Sequence, residues 1–263
     1  MTCATLVILF VLPMSPSALP GPTAAILIIG DEILSGKVEE ENARFLVVEL
    51  RALGVSVRRI EVRPDVEGEI VEAVRELSAR FDHVFTSGGV GPTHDDVTLP
   101  AIAAAFSMPL SRRPELEALI RRAFGTSLHE RDLRMADIPE GASLLYGQPP
   151  DTTIWPVVSV QNVYILPGVP VIFRRKFAVL RELLRAGPIH SRALYSAQPE
   201  GAIAEALDAV VAAFPEVKIG SYPRVEPGDF QVKITLDSRD PAAVDRALAQ
   251  LVERLGPAVV RTD

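Results

Sequence analysis

The sequence predicts an α/β protein, a mostly parallel β-sheet flanked by helices and followed by a small α+β module. Apolar runs of strand length alternate with amphipathic helical stretches along most of the chain. Loops rich in glycine directly follow two of those runs, where parallel sheets place ligand-binding loops. Beyond Gly187 and Pro188 the order of elements changes to β-α-β-β-α-β, a split-βαβ pattern.

Ala24–Ile29 (AAILII) is an unbroken apolar run closed by Gly30, which reads as a strand buried on both faces. Residues 41–53 follow as a helix with Phe45, Leu46, Val48, Leu50 and Leu53 on its apolar side, and Gly54 sits where a C-cap belongs. Val55–Val62 is a second strand, closed by Pro64 and Asp65. Glu67–Ala79 is a helix with Ile70, Val71, Val74 and Leu77 on one side. Asp82–Thr86 is a third strand, and Leu99–Phe106 a third helix with Pro100 in its first turn. Residues 110–155 are less regular, with helical patches at Glu115–Phe124 and Glu130–Met135 and a turn-rich stretch around Gly141, Gly147, Pro149 and Pro150. Asn162–Leu166 is a strand, and a helix runs from Val171 to about Arg185. The last module reads as strand Arg192–Ser196, helix Gly201–Ala213, strands Lys218–Ser221 and Phe230–Leu236, helix Pro241–Leu255 and strand Ala258–Arg261. The domain reading is a leader at 1–22, a first domain at 23–187 and a second at 188–263.

A chain of 263 residues, 48% hydrophobic and 23% charged, has the material for a sizeable core. Its net charge of −7 without a basic run speaks against a nucleic-acid partner. The single cysteine, Cys3, excludes an intrachain disulfide and a cysteine zinc site. The four histidines, His83, His94, His129 and His190, show no ligand spacing. The apolar run Leu6–Leu12 is too short to span a bilayer, no Lys or Arg precedes it, and no small-x-small cleavage site follows. An upstream start codon is the favoured account of this leader, so the expected location is the cytoplasm, with no membrane partner.

The densest chemical signal is Ser87-Gly88-Gly89-Val90-Gly91-Pro92-Thr93-His94-Asp95-Asp96-Val97-Thr98, between a strand and a helix. Glycines let backbone amides approach a ligand closely, and amides beside a helix N-terminus suit a phosphate. Thr98 is expected as the helix N-cap. Adjacent carboxylates at Asp95 and Asp96 would repel an anion unless a cation lies between, which points to a hard divalent ion such as Mg, Mn or Co. The plain alternative is a tight turn with acidic residues favouring a helix start. The second loop, Gly30-Asp31-Glu32, leaves at the same sheet edge if the strands are parallel, bringing Asp31 or Glu32 toward Asp95 and Asp96. Asn42 reads either as a ligand contact or, more simply, as a helix N-cap. Pro167-Gly168-Val169-Pro170 is a rigid turn that admits a ligand or merely joins strand to helix, and Asp65 sits past another strand end. His94 reads as a loop residue. Neither a G-x-S-x-G elbow nor a Walker loop is present.

IGDEILSG, Asn42 ahead of its helix, TSGGVGPTHDDVT and LPGVP together resemble the molybdopterin-binding (MoaB/Mog-like) domain family. The similarity is greatest to the branch holding the CinA N-terminal domain and the corresponding domain of eukaryotic FAD synthase, through VGPTHDDVTLPAIAAAF, VVSVQNVYILPGVP and GSYP with FQVKITLDS. It runs from Ala24 to the end of the chain. The resemblance implies a three-layer α/β/α fold whose site lies at these loops, with Asp65 and Asp96 matching acidic residues of the molybdenum-cofactor branch. In the CinA and FAD synthase branch it implies metal-dependent cleavage of a pyrophosphate in ADP-ribose or FAD. The chain ends at Asp263, so FAD synthesis and the CinA deamidase activity are not expected of it. The expected function is thus a metal-dependent nucleotide pyrophosphatase, with Asp96, Asp95 and Asp65 catalytic, Glu32 joining Asp95 and Asp96 at the metal, and Thr93 and Ser87 donating to phosphate. The alternatives are molybdopterin adenylyl transfer and a non-catalytic nucleotide sensor. The expected partner is a small nucleotide or pterin, and the second module either completes the site or builds a homo-oligomer.

Overall fold

The computed structural model describes residues 21–147, 150 and 155–263; the leader segment at 1–20 and Pro149 lie outside them. The described chain forms two compact units, residues 21–189 and 190–263. Among the described residues no helix is long and apolar enough to cross a membrane.

In chain order the first unit contains β1 (Thr23–Ile29), α1 (Asp31–Leu34), α2 (Asn42–Ala52), β2 (Ser56–Arg63), α3 (Glu67–Arg80), β3 (His83–Ser87), α4 (Thr98–Ala105), β4 (Leu110–Arg112), α5 (Pro114–Phe124), β5 (Asp137–Pro139), β6 (Ser143–Leu145), β7 (Val157–Val160), β8 (Val163–Leu166) and α6 (Pro170–Leu180). The main sheet has the order β2-β1-β3-β8-β7-β6. Its first four strands are mutually parallel, and β7 and β6 extend it antiparallel.

Strand periodicity explains the layering. Successive side chains of β1 point to opposite faces, so Ala25, Leu27 and Ile29 enter one core while Ala24, Ile26 and Ile28 enter another. The first core is closed by Ile70, Val74 and Leu77 of α3, Leu99 and Ile102 of α4, and Leu116 and Ile120 of α5. The second is closed by Leu46 and Leu50 of α2 with Phe173 and Phe177 of α6. A strand buried on both faces needs helices on both, which makes the unit three-layered, as the family resemblance implies. On the exposed edge strand β2, Arg59, Glu61 and Arg63 form ion pairs that keep the edge charged.

Several expectations need correction. Val48 is 60% exposed, because the i, i+4 pair Leu46 and Leu50 sets the buried face of α2 and Val48 lies opposite. The helix expected to reach Arg185 ends at Leu180, since the chain turns there to return Leu184 to the second core. The patch at 130–135 is a 3₁₀ helix over Glu130–Ala136, started by the Asp132 carboxylate accepting from the His129 amide at 2.7 Å. Strands β4 and β5 pair with each other apart from the main sheet. Each of the strands β4 to β7 is three or four residues long, too short to show a period.

The second unit runs β9 (His190–Ser196), α7 (Glu200–Ala213), β10 (Lys218–Pro223), β11 (Val232–Ser238), α8 (Pro241–Leu255) and β12 (Val259–Thr262). Its sheet, β10-β11-β9-β12, is antiparallel throughout, which is the split-βαβ arrangement read from the sequence. Leu194, Ile234 and Leu236 pack against Ile203 and Val210 of α7 and Val244 and Leu251 of α8. Asp240 caps α8 by accepting from the Ala242 amide at 2.9 Å, and Pro241 takes the first turn.

Candidate functional site

Because β1, β2, β3 and β8 are parallel, the loops after them leave at one sheet edge. Backbone bonds stitch these loops together. The Gly30 amide donates to the Arg63 carbonyl at 3.1 Å, and the Gly88 amide to the Leu166 carbonyl at 3.2 Å. Asp65 binds another loop, its carboxylate accepting from the Asp31 amide at 2.8 Å at the start of α1. Burial lifts the Asp65 carboxyl above its usual value, the Asp31 amide pulls it back, and the charges of Glu32, Asp31 and Asp95 lift it further. Acidic groups from three loops therefore feel one another at this edge.

The loop between β3 and α4 is folded from within. Thr98 does not cap α4. It is fully buried as the first helical residue, its hydroxyl donates to the Gly88 carbonyl at 2.9 Å, and its amide donates to the Gly89 carbonyl at 3.0 Å. Packing against the loop interior outcompetes capping, because a buried carbonyl needs a donor. Farther along the loop, the Thr93 amide donates to Asp96 Oδ2 at 2.8 Å, and the Thr93 hydroxyl donates to the same oxygen. Thr93 thus gives its proton to Asp96, which replaces the expected bond to a phosphate. His94 and Asp95 are exposed, with side-chain exposures of 98% and 58%.

Asn42 does not cap α2 either. Glu40 takes that role, its carboxylate oxygens accepting from the Ala43 amide at 2.9 and 3.0 Å. The buried Asn42 amide nitrogen donates to Ser87 Oγ at 2.9 Å and to the Gly168 carbonyl at 2.7 Å, tying α2 to two other loops. Its Oδ1 is buried without a partner. Asn42→Ala is expected to lower unfolding free energy by about 1–3 kcal/mol in urea denaturation, because the Gly168 carbonyl loses its donor. An unchanged midpoint would deny Asn42 this tying role.

These loops enclose a cleft of about 560 Å³. Of the residues singled out by sequence, Glu32, Asn42, Ser87, Gly88, Gly89, Gly91, Asp96, Pro167, Gly168 and Pro170 line it. Gly30, Asp31, Asp65, Pro92, Thr93, Asp95 and Thr98 are not among its lining residues. Sequence reasoning missed Glu39, Glu40 and Glu41, although the acidic run ahead of α2 was visible, and Met135 and Ile172, which no local signal marks. Among its described lining residues, Glu32, Glu39, Glu40, Glu41 and Asp96 are five acidic residues, and there is no Lys, Arg or His. Among the described residues no three His, Cys, Asp or Glu side chains gather as a metal cage. A Mg-type ion needs no such cage, since it takes one or two carboxylates and completes its shell from phosphate and water. Glu32 and Asp96, on the cleft with the loop glycines, fit that requirement.

A second, apolar chamber of about 290 Å³ adjoins the cleft, and Lys176 is the one charged residue among its described lining residues. Burial lowers the Lys176 ammonium from 10.5 to about 7. Between those values the unfolded chain holds a proton that the folded chain has released, so stability rises with pH across the window. Lys176→Met is accordingly expected to raise Tm at about pH 6 and to lose that advantage toward about pH 10. Equal Tm differences at both pH values would show that burial does not govern Lys176.

Residues 25–186 match the family described as "Probable molybdopterin binding domain", and residues 188–263 match "FAD synthase, middle domain". The chain is 34% identical to the "Probable FAD synthase" of Caenorhabditis elegans over 92% of its own length and 51% of that protein. It is 34% identical to a "CinA-like protein" of Frankia casuarinae, covering 86% of this chain and 56% of that one. It thus spans about half the length of each of these relatives. The crystal structure of CinA, of unknown function, from Thermoplasma acidophilum is 31% identical with a TM-score of 0.56, covering 62% of this chain and 98% of that chain.

Proposed function

The chain belongs to the molybdopterin-binding domain family, and from that membership we propose that it is a metal-dependent nucleotide pyrophosphatase acting on ADP-ribose or FAD. The supporting observation is the charge of the cleft. Among the described residues five acidic side chains and no cationic one line it, yet it is built on a glycine loop at the C-terminal edge of parallel strands, where phosphates bind. A phosphate entering alone would be repelled, whereas a phosphoanhydride carrying a divalent cation would not.

The amides of Gly89 and Gly91 would face one phosphate, while the Gly88 amide, expected to join them, is taken by the Leu166 carbonyl. Ser87 accepts from Asn42 and so keeps its own hydroxyl proton to donate. Glu32 and Asp96 would share a divalent ion with the phosphate oxygens, and that ion supplies charge neutralisation and a more acidic water. Thr93 holds the Asp96 carboxylate in place. In the reaction a water oxygen bonds to one phosphorus, the bridging P–O bond breaks, and the water proton passes to solvent. The products are AMP with ribose 5-phosphate from ADP-ribose, or AMP with FMN from FAD.

Incubation of the purified chain with either substrate, with and without Mg²⁺, Mn²⁺ or Co²⁺, tests this by chromatography of AMP. Metal-dependent AMP is the expected result and its source identifies the substrate. No AMP with any metal overturns the proposal in favour of pterin binding, which a pterin fluorescence titration would read.

A further inference from the structure

The glycine loop has a second side. A pocket of about 70 Å³ shares Gly89, Val90, Gly91 and Asp96 with the acidic cleft and adds Arg134 and Asp137 to its walls. Arg134 is the one cation among the described residues of this pocket, and the described residues of the cleft include none. It stands on the 3₁₀ helix Glu130–Ala136, whose Leu133 and Ala136 are buried in the first core. The backbone is thereby anchored, while the Arg134 side chain is exposed and able to reach. Met135, the next residue, lines the cleft, so this short helix passes the glycine loop with one side chain to each of its sides.

The two carboxylates of the pocket already have partners. Asp137 accepts from Arg112 Nε and Nη2 at 2.8 and 2.9 Å. Asp96 accepts from the Thr93 amide at 2.8 Å. Among the described residues Arg134 makes no ion pair, and its guanidinium donates to no other group. A guanidinium presents five N–H donors in a planar fork that matches the edge of a phosphate. At about 70 Å³ the pocket is well below the size of a nucleoside site, so it has room for phosphoryl oxygens and not for the rest of a nucleotide.

We propose that Arg134 supplies the cation that the cleft lacks, its guanidinium meeting the phosphoryl group over Gly89 and Gly91 from the pocket side of the loop. The part Arg134 plays in turnover rests on the pyrophosphatase reading above, but its binding of phosphate does not. In that reaction the water oxygen bonds to phosphorus, the bridging P–O bond breaks, and Arg134 stays protonated, donating to the phosphoryl oxygens as their charge grows.

The test separates binding from turnover. Inorganic pyrophosphate with Mg²⁺ is titrated calorimetrically into the full chain, Arg134→Ala and Arg131→Ala. Arg131 is exposed on the same 3₁₀ helix and is not among the pocket residues, so its variant makes the same change in net charge elsewhere. Arg134→Ala is expected to weaken binding roughly tenfold or more through loss of charge-assisted hydrogen bonds, and Arg131→Ala to leave it nearly unchanged. Arg134→Lys, which keeps the charge but not the fork, should fall between them. In AMP release, Arg134→Ala is expected to lower kcat roughly 100-fold, and millimolar guanidinium chloride to restore part of that loss where sodium chloride does not. Wild-type affinity in Arg134→Ala overturns the proposal, as does equal weakening in the two alanine variants or the absence of saturable pyrophosphate binding by the unaltered chain. Binding weakened in Arg134→Ala alone, in a chain that releases no AMP with any metal, leaves this proposal standing while the pyrophosphatase reading falls.

Discussion

Gly88→Ala is expected to abolish ligand binding at the cleft and to destabilise the first unit. Gly88 has φ +108, a conformation that costs an L-residue about 1–3 kcal/mol. A Cβ there would also run into the Ile29 carbonyl oxygen at the end of β1, so relief requires backbone movement and no rotamer change suffices. The loop cannot yield freely, because Thr98 holds the Gly88 carbonyl and Leu166 accepts from the Gly88 amide. The comparison is Gly36→Ala. Gly36 also has positive φ, +71, but nothing lies within 4 Å of an added Cβ, so only the conformational cost of about 1 kcal/mol applies. Thermal denaturation with and without ADP-ribose or FAD plus metal distinguishes them. Gly36→Ala should keep the ligand-induced rise in Tm, and Gly88→Ala should lose it. A Gly88→Ala protein that retains the rise would rule out the phosphate cradle.

Asp96→Asn is expected to lower metal-dependent AMP release roughly 100- to 1,000-fold, the scale seen when one preorganised electrostatic group is removed. The variant keeps an acceptor for the Thr93 amide, so the loop should retain its shape and Tm should change little. Asp96→Ala removes that acceptor as well and is expected to cost about 1 kcal/mol more in stability. Asp95→Ala provides the contrast, since its carboxylate is exposed and is not among the cleft-lining groups. Its effect on AMP release should be far smaller. Equal rates for wild type and Asp96→Asn would remove Asp96 from the site.

The AAILII run, the helical face around Ile70, the helical patch at Glu115–Phe124 and the β-α-β-β-α-β order after Pro188 are all local signals, and each was legible in the sequence. So was the position of the glycine loop between a strand and a helix, which in a parallel sheet places it at the ligand-binding edge. Which partner each polar group takes was not legible. Asn42 looks like a cap from its neighbours, but its partners are 45 and 126 residues away, and Glu40 caps the helix instead. Thr98 looks like a cap until the Gly88 carbonyl is seen buried beneath it, and Asp65 finds the Asp31 amide only because β1 and β2 lie side by side. The acidic cleft and the Lys176 chamber likewise draw walls from α4, α5, α6 and the 3₁₀ helix near Met135, segments with no periodic relation to one another. Burial on a strand or helix face follows a repeat of two or 3.6 residues and can be read along the chain, whereas hydrogen-bond partners and cavity walls follow from which elements the sheet order brings together, and that order exists only in the folded protein.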